Sequence, residues 1–174
     1  MLRITDADEG GSEYVLADIQ QIIDQAIEFT EPRRRKMAQG KGVEFHIGRQ
    51  GVVTWKPVVK CNPVEMREVF VNIINNALNA MPDGGVILLH TRKNNGNVLI
   101  NITDTGHGMT EDVKKRVFDP FFTTRSPEGT GLGMSIVYGV IKRHGGELEV
   151  QSKVGNGTSF IMSIPVASVK FPVP

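Results

Sequence analysis

A helix with an unbroken apolar stripe lies in the middle of the chain and limits the folds open to it. Its apolar residues recur at helical spacing: Met66, Val69, Phe70, Ile73, Ile74, Ala77, Leu78 and Met81. The segment Pro82-Asp83-Gly84-Gly85 ends the pattern, and strand-like segments follow. Such a stripe must be buried against a second layer of structure, which favours helices packed on a sheet.

Further helices and hairpins complete the pattern. Residues 19–27 repeat at helical spacing after Asp18, a candidate N-cap. Pro32 is expected to kink or end that helix before 40–42, and Asn95-Gly96 predicts a hairpin turn. Strands are predicted near 43–47, 52–60, 86–92, 98–103, 147–152 and 158–164, with a third helix at 132–141. The fold class predicted is α+β: a two-layer sandwich in which three helices cover one face of a mixed sheet.

Composition narrows the classes of protein further. With 174 residues and 40% hydrophobic content, the chain can bury one core. With a net charge of +1, the chain has no overall electrostatic field that would attract nucleic acid or a membrane. We therefore predict contact with neither. Cys61 is the only cysteine, and no apolar run approaches the roughly 18 residues of a membrane span. We expect a cytoplasmic location, although a longer parent protein could be anchored in a membrane.

Three segments are predicted along the chain. Residues 1–15 are acidic and glycine-rich and are interpreted as a linker, 16–167 as one domain and 168–174 as a frayed tail. The one concentrated basic run, residues 33–36, falls late in the first helix. A binding patch and a solvated helix face are both compatible with it, and the solvated face is favoured.

One predicted strand places a carboxylate on the inward face of the sheet. Val98, Ile100 and Ile102 alternate with polar residues, and the same period brings Asp104 to that face. A buried carboxylate is costly unless groups donate hydrogen bonds to it. Residues 106–108, Gly-His-Gly, offer no glycine side chain to donate and leave room beside the carboxylate for a flat ligand. We interpret the combination as a purine pocket.

Three asparagines share one face of the central helix. Asn72, Asn76 and Asn79 lie four and three residues apart, beside the apolar stripe. A solvated polar face would explain them. The functional alternative is that their amide oxygens help to hold Mg²⁺, which takes its other ligands from water and substrate phosphates.

Glycines open the third predicted helix, and a long segment of little periodicity precedes them. The glycines of the sequence 129–133, Gly-Thr-Gly-Leu-Gly, would let phosphate oxygens approach backbone N–H groups at a helix N-terminus; a tight turn is the alternative. Residues 105–130 are interpreted as a lid that contains Phe118, Phe121 and Phe122, although these rings could also belong to the core. Thr158 is expected to point toward the same interior as Asp104, unless it is a capped threonine of the core.

Taken in order, four segments resemble the catalytic ATP-binding domain of a sensor histidine kinase, in the GHKL superfamily. They are an asparagine box (72–77), a first glycine box (104–108), a phenylalanine box (118–125) and a second glycine box (129–133). The closing pattern of the family follows at 144–146 and 155–160, and the resemblance covers about residues 16–167.

The resemblance implies a Bergerat-type fold with a long ATP lid, and ATP and Mg²⁺ as cofactors. It implies that Asp104 accepts the adenine amino group with support from Thr158. Asn76 would coordinate Mg²⁺ as the metal ligand, with Asn72 on the phosphate side and Arg125 near the terminal phosphate, and these three are the implied catalytic residues. The implied cofactor-binding set is Asn76, Asn79, Asp104, Gly106, Gly108, Phe118, Thr124, Gly129, Thr130, Gly131, Leu132, Gly133 and Thr158.

The residue one turn before Asn76 separates the relatives of this superfamily. Its ATPases (gyrase, MutL) and serine-directed kinases resemble one another in carrying glutamate there, which can deprotonate water or a hydroxyl. Asn72 occupies that position here, and Glu68 lies a turn earlier still. A neutral histidine needs no such base, so transfer of the ATP γ-phosphoryl group to histidine is favoured. A superfamily ATPase or serine kinase, and a non-enzymatic nucleotide-sensing module, are the alternatives.

The family's acceptor histidine has a recognisable setting, with an acidic residue after it and a proline nearby. None of the four histidines of the chain has that setting. We therefore expect a domain that binds ATP but cannot phosphorylate itself. Its implied partners are the histidine-containing dimerisation domain of the parent kinase and, downstream, a response regulator.

Overall fold

The computed structural model describes residues 6–7, 13–50, 54–125 and 129–167. Its strands are β1 Asp6–Ala7, β2 Glu13–Asp18, β3 Phe45–Gln50, β4 Val58–Cys61, β5 Gly85–Asn94, β6 Asn97–Asp104, β7 Glu147–Ser152 and β8 Thr158–Pro165. Its helices are α1 Ile19–Lys41, α2 Pro63–Ala80, α3 Glu111–Arg116 and α4 Gly133–Arg143. The predicted tail at 168–174 and the beginning of the strand predicted at 52–60 lie outside the described residues.

The larger sheet has five strands in the order β3-β5-β6-β8-β7. The pairing of β3 with β5 is parallel and the other pairings are antiparallel, so the sheet is mixed as predicted. Alternate residues of β6 and β8 are buried on one face, which belongs to the same core as the apolar faces of α1, α2 and α4. The α+β class is therefore confirmed.

A second, three-stranded sheet, in the order β1-β2-β4, was not predicted. Strand β2 begins at Glu13, inside the segment interpreted as linker, and its Val15 pairs with Cys61 of β4. Strand β1, which pairs with β2, lies in the same segment, so the linker interpretation is wrong for residues 6–7 and 13–15. The acidic and glycine-rich composition around them hid a strand whose partner lies more than forty residues away in the sequence.

Helix α1 begins as predicted, is not ended by Pro32, and closes within the predicted segment 40–42. Asp18 accepts a hydrogen bond from the backbone N–H of Gln20 at 2.9 Å, which confirms the N-cap. The helix passes through Pro32 and ends at Gly42, whose φ of 64° is the left-handed conformation that glycine adopts easily. Met37, beyond the proline, still packs against the core. That packing compensates for the hydrogen bond lost at the proline.

His144 connects two helices. It is 8% exposed, and its Nε2 accepts the backbone N–H of Asn62 at 3.1 Å. The ring proton therefore sits on Nδ1, which donates to the carbonyl oxygen of Val140 at 2.7 Å. Asn62 is itself the N-cap of α2, with its side chain accepting from two backbone N–H groups of the first turn. The end of α4 and the start of α2 are thus tied through one imidazole.

We predict that His144→Leu destabilises the protein by about 1–3 kcal/mol, because the buried N–H of Asn62 loses its acceptor. Urea unfolding of wild type and variant measures the difference. His46→Leu is the matched control, since the His46 side chain is exposed and is hydrogen-bonded to the exposed Glu44; a change within about 0.5 kcal/mol is expected there. Equal losses in both variants would contradict the role assigned to His144.

Candidate functional site

The carboxylate of Asp104 lies at the end of β6, opposite Thr158 of β8. It is 3% exposed, as the alternation along β6 predicts. Its Oδ1 accepts two backbone N–H groups, from Gly106 at 2.8 Å and from Thr158 at 3.2 Å. Among the described residues, none donates a hydrogen bond to Oδ2. One oxygen is therefore held by the protein, and the other retains its full capacity to accept.

Burial raises the pKa of the Asp104 carboxyl, and the two N–H donors and the nearby His107 offset only part of that rise. A raised pKa in the folded state means that the charged form destabilises the fold. The stability that the protonated group contributes is complete at low pH. It is lost as the pH rises through the raised pKa. At neutral pH, the hydrogen bonds and charges of the protein therefore do not fully compensate the negative charge of the buried Asp104 carboxylate.

Glycines around Asp104 are required by close backbone packing. A Cβ on Gly106 would lie 2.6 Å from the carbonyl oxygen of Ala80, and one on Gly157 would lie 1.9 Å from that of Asp104. The same applies to Gly108, where a Cβ would be 2.0 Å from a backbone oxygen. Glycine is therefore needed at 106 and 108 because protein backbone occupies the directions of their side chains, a reason different from the predicted room for a flat ligand.

A serine that the sequence analysis missed positions the Thr158 hydroxyl. The Oγ of Ser152 lies 2.9 Å from the Thr158 hydroxyl and donates to the carbonyl oxygen of Gly157 at 2.8 Å. Because the single Ser152 proton is used there, the Thr158 hydroxyl donates to Ser152. Thr158 is 2% exposed and supports Asp104 through its backbone N–H. The alternation of Leu148 and Val150 along β7 already placed Ser152 on the inward face.

Asn72, Asn76 and Asn79, three of the four asparagines of α2, are half-buried, in disagreement with a fully solvated face. The Nδ2 atom of Asn72 is buried without a hydrogen-bond partner. Asn76 makes no side-chain hydrogen bond with another described residue. Asn79 accepts a hydrogen bond from Nη2 of Arg33 at 2.7 Å. Two of the three amides therefore keep unused hydrogen-bonding groups.

The N-terminus of α4 lies beside Asn72. A Cβ on Gly133 would be 3.4 Å from Oδ1 of Asn72. No side chain caps this helix, whose N-cap residue is Leu132. Its first backbone N–H groups and the unpaired Nδ2 of Asn72 can donate hydrogen bonds to an anion.

The segment before α4 departs from the predicted lid at one ring. Phe118 packs against Tyr138 and Phe160, with centroids 5.4 and 6.4 Å apart. The lid interpretation is wrong for Phe118, because its neighbours lie in α4 and β8. Phe121 is 76% exposed and has a φ of 65°, and its backbone meets Gly131: a Cβ there would lie 2.4 Å from the carbonyl carbon of Phe121. Phe121, inside the segment, is thus in contact with the glycine that follows the end of the segment.

The remaining residues of the predicted site lie on this segment. Thr124, Arg125 and Thr130 are exposed, and Gly129 is half-buried against Thr123. In the part of the chain that the structure describes, no group of three or more His, Cys, Asp or Glu side chains could hold a metal ion. The amide oxygen of Asn76 fits one position in the shell of Mg²⁺, whose other ligands are commonly water and phosphate. Within the same residues, no helix is long and apolar enough to cross a membrane.

The candidate site has two ends that differ in their hydrogen-bonding groups. Oδ2 of Asp104 can accept a hydrogen bond from an amino group at one end. At the other end, the N-terminus of α4 and the Asn72 amide can donate to an anion. A purine nucleotide carries both kinds of group.

Comparison with known proteins points in the same direction. A family model described as "Histidine kinase-, DNA gyrase B-, and HSP90-like ATPase" matches residues 61–168. Sporulation kinase E of Bacillus subtilis (strain 168) is 44% identical over 111 residues, 63% of this chain and 15% of that protein. The chain spans 15% to 24% of the length of the curated relatives that it matches.

Two solved structures are similar in fold to this chain. The catalytic domain of histidine kinase ThkA has a TM-score of 0.73 at 27% identity, over 88% of this chain and 96% of that one. Full-length ShkA, in complex with AMPPNP, has a TM-score of 0.73 at 27% identity, over 92% of this chain and 32% of that one.

We predict that Asp104→Asn stabilises the ligand-free protein at neutral pH, because it removes the charge and keeps an oxygen for both N–H donors. The gain should shrink as the pH falls and the wild-type carboxyl becomes protonated. Thermal unfolding at a series of pH values measures it. Asp83→Asn, at an exposed position, is the control. A variant that is less stable than wild type at neutral pH would contradict the prediction.

Proposed function

Because the chain belongs to the family of histidine kinase-, DNA gyrase B- and HSP90-like ATPases, we propose that it binds ATP with Mg²⁺ and transfers the γ-phosphoryl group to histidine. The acceptor histidine would lie on a dimerisation domain of a longer parent kinase. A response regulator would receive the phosphoryl group from that histidine.

The half-satisfied carboxylate of Asp104 carries the proposal. Its Oδ1 already accepts two N–H groups, and Oδ2 accepts none from the described residues. An exocyclic amino group, as in adenine, would supply the missing donor and compensate the buried charge. The complex of ShkA, a neighbour in fold, with AMPPNP supports an adenine nucleotide as the ligand.

The phosphate chain of ATP would extend from Asp104 toward the N-terminus of α4. There the uncapped N–H groups of the helix and the buried Nδ2 of Asn72 would donate to phosphate oxygens. The amide oxygen of Asn76 would hold Mg²⁺ together with those oxygens. The ion would neutralise the phosphate charge and orient the terminal phosphate.

Transfer to histidine is favoured because the helix carries no base beside the phosphates. Asn72 occupies the position from which a glutamate would activate water or a hydroxyl. Glu68, the nearest acid before it on α2, is exposed and two turns from Asn76. A neutral imidazole needs no such base. Among the chain's own histidines, His144 is unsuited as an acceptor, because both of its ring nitrogens are engaged in hydrogen bonds.

We predict that Mg-ATP raises the melting temperature of the protein. A ligand that binds only the folded state adds about 2.7 kcal/mol at 100 times its dissociation constant. Asp104→Asn should abolish most of that shift, since the amide cannot replace the carboxylate as the acceptor for adenine. Differential scanning fluorimetry measures both. An unchanged shift in the variant would remove the adenine assignment, and no shift in wild type would remove the proposal.

We predict that the chain alone retains no label after incubation with γ-labelled Mg-ATP, and that a separately supplied dimerisation domain becomes phosphorylated on histidine. Steady release of phosphate, or a phosphoserine product, would support an ATPase or a serine kinase instead. Nucleotide binding without any transfer would support a sensing module. Label stably held on the chain itself would contradict the expectation that it cannot phosphorylate itself.

A further inference from the structure

A basic cavity lies between the C-terminal halves of α1 and α2 and the exposed segment that carries Arg125. Its volume is about 600 Å³, and its cationic lining residues are Arg33, Lys36, Lys41 and Arg125. No aspartate or glutamate is among the described residues that line it. The chain as a whole is nearly neutral, at +1, so this concentration of one sign is local. A site with several cations and no acid is suited to an anion.

The residues of the basic run at 33–36 are exposed or half-buried, and they differ in the groups that they contact. Arg35 pairs with Glu31 on the surface, and Arg34 donates to the carbonyl oxygen of Ile27. Arg33 and Lys36, three residues apart and therefore on one side of the helix, line the cavity. Both residues are exposed, as the favoured interpretation of a solvated face predicts, and both contribute to the lining of the cavity.

The side chain of Arg33 is hydrogen-bonded to α2, and the charge of a second guanidinium, that of Arg125, acts on it. Its Nη2 donates to Oδ1 of Asn79 at 2.7 Å. Burial, and then the nearby positive charge of Arg125, lower the pKa of Arg33. Both effects act against its charge, and no carboxylate of the described lining compensates them. An anion between the two guanidinium groups would do so.

The basic cavity adjoins the proposed nucleotide site. Asn79 lies one turn after Asn76 on the same face of α2, and Cβ atoms so related are about 5–6 Å apart. Ala80, the next residue, accepts the backbone N–H of His107 at 3.0 Å in the loop that follows Asp104. The guanidinium of Arg33 is therefore within one helical turn of the amide proposed to hold Mg²⁺.

We propose that Arg33, on the first helix and outside all four sequence boxes, is a phosphate-binding residue of the nucleotide site. Its guanidinium and that of Arg125 bind the terminal phosphates of ATP from opposite sides, and Asn79 orients Arg33 for this contact. The planar guanidinium can donate two parallel hydrogen bonds to one phosphate group. The inference rests on the proposed function and adds to it a cation that the resemblance did not assign.

The test compares nucleotides that differ only in their phosphates. Isothermal titration calorimetry with Mg²⁺ gives the dissociation constants of ATP and AMP for wild type and Arg33→Gln. We expect the variant to bind ATP about tenfold or more weakly, the usual effect of losing a charge-assisted hydrogen bond, and AMP as wild type does. Arg35→Gln is the matched control on the same helix, because Arg35 pairs with Glu31 outside the cavity; both affinities should stay unchanged.

The other possible outcomes distinguish a failure of the inference from a failure of the proposed function. If Arg33→Gln binds ATP as tightly as wild type does, the inference is overturned and the proposed function stands. If ATP and AMP weaken equally, Arg33 is a structural residue and the inference is again overturned. Should wild type bind neither nucleotide, the proposed function itself fails.

Two further variants keep the test decisive if Arg33→Gln folds poorly. Arg33→Lys keeps the charge without the planar pair of donors, so its ATP affinity should lie between those of wild type and Arg33→Gln. In the Arg125→Gln background, Arg33→Gln should cost less than it does alone, because both residues bind the same phosphates. Strictly additive losses would contradict the shared contact.

Discussion

One carboxylate oxygen held by two backbone N–H groups, with the other left open, is the contact on which the rest of the site depends. Gly106 reaches Oδ1 of Asp104 from two residues further along the chain, whereas Thr158 can reach it only because the register of β6 and β8 sets Thr158 opposite Asp104. The close packing of Gly157 against the backbone of Asp104 adds to that register. A charged group that the fold only half compensates destabilises the empty protein. A hydrogen bond donated by a ligand would compensate the remaining charge of Asp104. The stability that the ligand-free protein lacks at this position would then contribute to the affinity for the ligand.

Helix α2 joins the two ends of the site. Its last residue, Ala80, contacts the loop after Asp104, while Asn72 reaches the N-terminus of α4. Asparagine costs roughly half a kcal/mol relative to alanine at a helix position. Helix stability therefore does not explain three of them on one half-buried face, which agrees with the binding roles proposed for them. The buried apolar stripe of α2 supplies the packing that tolerates this cost.

Local patterns allowed most of the fold to be predicted, because apolar periodicity and turn residues report on their own neighbourhood. The stripe of α2, the inward position of Asp104 and the turn at Asn95-Gly96, where both residues have a positive φ, are examples. The small sheet was missed because β2 is short and its partner β4 is distant in the sequence. The position of Phe118 in the core and the pairing of Ser152 with Thr158 depend on which elements meet in space. No pattern within either segment records that meeting.

The basic run of α1 shows how helical geometry divides a sequence feature into different roles. Four consecutive cations spread around the helix, at about 100° per residue, so they cannot all face the same neighbour. Arg33 meets Asn79 and the cavity, whereas Arg35 meets Glu31 at the surface. A run of like charges is therefore neither a patch nor a solvated face until the packing of its helix is known. Because α1 packs against α2, the member that points along the asparagine face is the one that can serve a phosphate.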